Sequence, residues 1–122
     1  MDFMSVSVTP STILLLDDDP IIAMDAAMEI EDHGHKCHIA YDLASAFDLL
    51  NEVNPDAALL DFDLGGHTSL PIAVELHEQG LPFAFVTGRE VGELSSKLGT
   101  TPQVFTKPVN YADVARHLLM AA

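Results

Sequence analysis

Basic residues are scarce in this chain: five Lys and Arg stand against nineteen Asp and Glu, for a formal charge of -14 over 122 residues. Duplex affinity comes largely from Lys and Arg on phosphates, so direct nucleic-acid binding is excluded and an anionic membrane surface is disfavoured. Cys37 is the sole cysteine. That rules out an internal disulfide framework and fits a reducing, cytoplasmic compartment. No apolar run approaches the roughly 18 residues of a membrane span. Met1 to Thr9 lack a basic n-region and so do not form a secretory signal; residues 1–10 read as a flexible tail ending at Pro10. Repeats, linkers and low-complexity stretches are also missing. What is present is a 48% hydrophobic content, enough for a folded globule, in a chain of single-domain length. The acidic balance suits solubility, metal binding and a basic patch on a partner protein.

Short apolar runs alternate with helical patterns. A first strand is expected over about Thr12 to Asp17. Asp19 then caps a helix with Pro20 at its first position; Ile21, Met24 and Met28 recur at helical spacing, and Gly34 stops it. A second strand runs over about Lys36 to Tyr41. Asp42 caps a second helix carrying Leu43, Ala46, Phe47 and Leu50, which Asn54-Pro55 breaks. A third strand, Ala57 to Leu60, ends at Asp61, and Gly65-Gly66 forms a loop. The third helix starts near Ser69, carries Leu70, Ala73, Val74 and His77, and ends at Gly80. Pro82 opens a fourth strand ending at Thr87. A short, glycine-flanked fourth helix is expected over Val91 to Leu98, a fifth strand over Gln103 to Thr106, and a fifth helix capped by Asn110 with Tyr111, Val114 and Leu118 in register. Strands that are apolar throughout are buried on both faces, as in a parallel sheet, and right-handed crossovers then give a doubly wound α/β sandwich.

Four strands end on chemistry-bearing residues: Asp17-Asp18-Asp19, Asp61, Thr87 and Lys107-Pro108. In an open parallel sheet the carboxyl ends of the strands form the binding edge. Carboxylates, a hydroxyl and an ammonium gathered there can bind Mg²⁺ and a phosphoryl group, and they include a carboxylate able to accept one.

These residues, in the segments ILLLDDDP, ALLDFDLGG, FVTG and FTKP, resemble the receiver domain of bacterial two-component response regulators (CheY-like) over nearly the whole chain. The resemblance implies a flavodoxin-like fold of five strands in the order 2-1-3-4-5 with five helices and a single receiver domain over 11–122, and a chain that stops with its fifth helix is expected to leave no room for an output domain. DFDLGGHTSLPIAVEL, LPFAFVTG and FTKPVN look like the FAT GUY group of receivers, which are often stand-alone and associated with histidine kinases of the HWE or a related type. The chain departs from that group at Arg89 and Glu90, where an apolar residue and Tyr would be expected.

The resemblance implies that Asp61 is the phosphoacceptor, since carboxylates can act as nucleophiles through an acyl phosphate. Asp18 would be the direct Mg²⁺ ligand, Asp17 would help through water, and the backbone carbonyl of Asp63 would be a third protein ligand; Mg²⁺ keeps several waters, so this small set suffices. Lys107 would bring a compact positive charge to the phosphate. Thr87 would follow a phosphoryl oxygen and move the loop after it, with Gly88 leaving space, and the Lys107-Pro108 bond would be cis. Asp19 reads as the helix cap rather than a ligand. The Asp63 side chain and Arg89 are candidates for tuning phosphate lifetime at the site mouth, with solvated surface residues as the plainer reading. His33, His35, Cys37 and His38 have the look of a transition-metal cluster, but a surface turn with Cys37 partly buried is the better reading; His67, His77 and His117 read as surface or helix-packing residues.

Many receivers carry an aromatic three residues before the lysine, where this chain has Val104; Phe105 points to the opposite face. A switch that orders the segment from Thr87 to Lys107 is therefore expected, with partners bound by the fourth helix, fifth strand and fifth helix. The implied function is a stand-alone phosphoacceptor, not an enzyme, that takes phosphate from a sensor histidine kinase and either signals to a downstream protein or drains the kinase. Two other classes compete: a receiver-like interaction module without phosphorylation, which the complete set of acids, Thr and Lys disfavours, and a small phosphatase of the haloacid dehalogenase type. Asp61-Phe62-Asp63 matches the latter's nucleophile pair, but the acid pair precedes the nucleophile here and a cap domain is lacking.

Overall fold

The computed structural model describes residues 10–92 and 98–121. Within them the chain runs β1 (Thr12–Leu16), α1 (Pro20–Asp32), β2 (Lys36–Ala40), α2 (Leu43–Val53), β3 (Ala57–Asp61), α3 (Leu70–Glu78), β4 (Phe83–Thr87), β5 (Gln103–Thr106) and α4 (Tyr111–Ala121). The five strands form one sheet in the order β2-β1-β3-β4-β5, and every pairing is parallel. This is an α/β architecture of the flavodoxin-like kind. Among the described residues there are four helices rather than five. Of the helix expected over 91–98, Val91 and Gly92 are not helical and 93–97 lie outside the described residues, while Leu98 packs into the core. The predicted tail lies, apart from Pro10, outside the described residues as well.

Side chains of successive strand residues point to opposite faces, and the central strands feed two cores in turn. Leu14, Leu16, Ala58, Leu60 and Phe85 face α2 and α3, whose Ala46, Leu50, Ile72, Ala73 and Leu76 meet them. Ile13, Leu15, Ala57, Leu59 and Val86 face α1 and α4 through Ala23, Ala26, Ile30, Val114, Ala115 and Leu118. Full burial of a Leu or Ile side chain contributes about 1.5–3 kcal/mol each, so runs that alternate between two cores hold both layers at once.

The helix starts follow from short polar side chains. Asp19 accepts hydrogen bonds from the Ile21 and Ile22 N–H groups (3.0 and 3.3 Å), Asp42 from Ser45 N–H (2.8 Å), and Asn110 from Asp113 N–H (2.9 Å). Each satisfies a donor that the first turn leaves free. A second tie fixes α4: the Glu29 carboxylate on α1 accepts the Tyr111 N–H.

Two sequence expectations change. The residues whose spacing announced α1 are not the ones it buries: Ile21, Met24 and Met28 are 74%, 56% and 59% exposed, and the helix meets the sheet through Ala23, Ala26, Ala27 and Ile30. His35 is not a surface residue. It is buried and its Nδ1 accepts the Ser11 N–H (3.2 Å), which ties the turn before β2 to the start of β1. Burial, then the neighbouring His33, lowers its pKa, against a smaller opposing effect of Asp56. Cys37 is partly buried as expected, and His33, His67, His77 and His117 are exposed.

Candidate functional site

Strand register assembles the site. Leu16 pairs with Leu60, so the residues that follow them, Asp17 and Asp61, come together at the carboxyl edge. Asp61 pairs with Val86, which places Thr87 one step beyond. Thr87 pairs with Thr106, which places Lys107 next, and the Lys107 N–H donates to the Thr87 carbonyl (2.7 Å). Asp17 continues past the end of β1 and its N–H still reaches the Ala40 carbonyl of the edge strand (3.1 Å).

Asp17, Asp18 and Asp61 each offer a carboxylate oxygen within 4.8 Å of the others, the sole such acidic, His or Cys group among the described residues. Asp17 is buried, and its Oδ1 accepts the Asp19 N–H (2.9 Å). The Lys107 ammonium lies 3.5 Å from Asp17 Oδ2 and 3.7 Å from Asp61 Oδ2. One cation thus serves a crevice of three acids. Asp61 responds: its pKa is pushed up to about 6, first by burial, with Asp17 and Asp18 adding to the rise while Lys107 and the Asp63 backbone N–H oppose it. The donor set is hard oxygen short of positive charge, and a divalent cation fits it. Gly65 belongs to the same wall: a Cβ there would stand 3.4 Å from Asp18 Oδ2, and its φ of +69° favours glycine.

Thr87 is fully buried at the rear of the crevice, and its hydroxyl oxygen faces the Arg89 N–H at 3.4 Å. Gly88 is exposed, and a Cβ there would meet nothing within 4 Å, so space beside Thr87 is open. The Lys107-Pro108 bond is cis. Val104 is exposed on β5, while Phe105 packs toward Val86 and α4 and stands edge-on to His117 (6.0 Å); the two do face opposite sides. Asp63 and Arg89, read from sequence as separate candidates, are joined. Arg89 donates from Nε and a terminal nitrogen to both Asp63 oxygens (2.8 and 2.9 Å), and its guanidinium lies 5.5 Å above the Phe62 ring.

Two site neighbours escaped the sequence reading. Tyr111 was placed by helical register alone, yet Asp17, Asp61 and Glu29 add to burial in pushing its hydroxyl up to about 12. Glu29 joins it in an open groove of about 530 Å³ that runs from Ile22 and Asp25 to Lys107 and Pro108. The signal available was position: Tyr111 stands four residues past Lys107, at the start of a helix that must pack back on the sheet.

No family model matches the sequence. A curated relative, the probable transcriptional regulatory protein TcrX of Mycobacterium tuberculosis, is 26% identical over 113 residues, which are 89% of this chain and 48% of that protein. The chain thus spans about half the length of that relative. A response regulator receiver domain protein (CheY-like) from Methanospirillum hungatei superposes with a TM-score of 0.79 at 23% identity, over 93% of this chain and 94% of the other. The chemotaxis protein CheY4 of Vibrio cholerae gives 0.78 at 18% identity, over 93% and 100%. Among the described residues no helix is long and apolar enough to cross a membrane. The chain carries the fold of CheY-like response regulator receiver domains.

Proposed function

We propose that this chain is a stand-alone, cytoplasmic receiver of the FAT GUY type that takes a phosphoryl group from a sensor histidine kinase, of the HWE or a related type, onto Asp61. The observation that carries this reading is the crevice itself: three carboxylates within 4.8 Å, with Lys107 3.5 and 3.7 Å from two of them and buried Thr87 alongside. In the transfer an Asp61 oxygen attacks phosphorus. The P–N bond of the donor phosphohistidine breaks, its electron pair stays on the imidazole nitrogen, and the new P–O bond leaves an acyl phosphate on Asp61. Lys107 faces the phosphoryl oxygens with its charge, and the Thr87 hydroxyl donates to one of them. Asp18, Asp61, the Asp63 carbonyl and, through water, Asp17 would hold Mg²⁺, which offsets the crowded acids and the charge on the transferring group.

The start of α1 borders the acid triplet, and in this reading the donor docks over it. Ile21, Met24 and Met28 form an exposed apolar stripe there, beside the groove that ends at Lys107. In this reading the kinase surface that bears the phosphohistidine covers it. The phosphorylated protein then acts on a downstream protein or drains the kinase, as a signalling module rather than an enzyme.

The test is Mg²⁺-dependent labelling from acetyl phosphate and a panel of histidine kinases, read by intact mass with Asp61→Asn as control. One phosphoryl group that requires both Mg²⁺ and Asp61 is the expected result. No label from any donor, and no binding of beryllofluoride by the folded protein, would leave an interaction module instead.

A further inference from the structure

Asp63 and Arg89 are 26 residues apart in sequence. They lie on different strand-end loops, and their side chains are 47% and 56% exposed. Such a pair could be surface decoration, since exposed ion pairs contribute little. Three observations separate it from that. The contact is a two-pronged guanidinium–carboxylate pair, the geometry that fixes orientation as well as distance. The guanidinium also lies over the Phe62 ring, which packs edge-on against Phe85 of the core (5.4 Å). And each partner stands two residues past a reacting group, Asp63 past Asp61 and Arg89 past Thr87, with the Arg89 N–H directed at the Thr87 hydroxyl oxygen.

From this juxtaposition, and resting on the phosphoacceptor reading above, we infer that the Asp63–Arg89 pair is a positioning clamp: by joining the two loops that follow Asp61 and Thr87, it sets the spacing between nucleophile and hydroxyl for phosphoryl transfer. Neither side chain touches the phosphoryl group in this role. Arg89 N–H to Thr87 Oγ1 at 3.4 Å is a long hydrogen bond, so the hydroxyl stays free to turn toward a phosphoryl oxygen while its backbone is held. Well-aligned reacting groups lower a barrier that small displacements restore. The clamp also gives the loop after β4 a fixed reference that Val104, exposed and non-aromatic, does not supply.

The experiment compares Asp63→Asn, Arg89→Gln and the charge-swapped double variant Asp63→Arg/Arg89→Asp in labelling by acetyl phosphate. The clamp predicts that each single variant lowers the rate at saturating donor by about two- to fivefold, the range open to an exposed pair. It also predicts unchanged half-saturation by donor, and recovery of most of the rate in the swap. A single-variant loss that the swap does not recover would overturn it, as would single variants that match the wild type. If the wild type takes up no phosphoryl group, the phosphoacceptor reading falls by itself. The clamp is then judged on the unlabelled protein: faster hydrogen exchange at the Arg89 amide in Asp63→Asn supports it, and unchanged exchange overturns it.

Discussion

Asp61 sits where a carboxyl group gains least from ionising: mostly shielded from water, with two acids beside it and one ammonium shared with Asp17. Its folded pKa of about 6 lies above the value near 4 of an unfolded chain. The folded state therefore binds this proton more tightly, and stability is lost as pH rises from about 4 through 6. It follows that Asp61→Asn stabilises the metal-free protein by about 1–3 kcal/mol at neutral pH, and that the gain shrinks as pH falls toward 4. Thermal melts in chelator across that range check it; a gain independent of pH would place the effect elsewhere. The residues of this crevice were legible in the sequence because each ends an apolar run, and a parallel sheet gathers such ends. The Asp63–Arg89 pair was not legible as a pair. Two exposed side chains on separate loops leave no periodic trace, and either reads equally well as solvated. The burial of His35 is hidden for a related reason: a histidine in a turn looks exposed until the Ser11 N–H that it accepts is known.

At the scale of elements, α1 shows what spacing can and cannot say. Ile21, Met24 and Met28 recur as a helix requires, but recurrence marks a stripe and not the direction it faces. The stripe turned inward is made of small residues, Ala23, Ala26 and Ala27 with Ile30, which let the helix lie close to the sheet; the larger side chains are left to solvent. If they meet the kinase, Met24→Glu should lower the rate of transfer from phosphorylated kinase by about tenfold or more, the scale of losing one buried apolar anchor. Labelling by acetyl phosphate, which needs no docking, should be unchanged. Equal losses with both donors would show damage to the crevice instead. Most strands were legible from short apolar runs, their order from the resemblance to receiver domains, and the caps Asp19, Asp42 and Asn110 from their position before helical patterns. The expected helix over 91–98 rested on a weak pattern between glycines, and Val91 and Gly92 do not join it.

Over the whole molecule the formal charge of -14 means that folding brings like charges together. Screening them favours the compact state, so raising NaCl from about 20 mM to about 0.5 M, which shortens the screening length several-fold, should raise the melting temperature by a few degrees. A fall would show that attractive pairs such as Asp63–Arg89 outweigh the repulsion. The sheet also divides the molecule in two. The acids, Thr87 and Lys107 lie where the strands end, whereas the helix-to-strand turns at Gly34 and Gly80 lie where strands begin. Connection and chemistry are thus written at opposite poles. Turns at one pole can be lengthened, shortened or recoded while the reactive pole keeps its spacing, which leaves such a scaffold free to diversify its wiring without renegotiating its reaction.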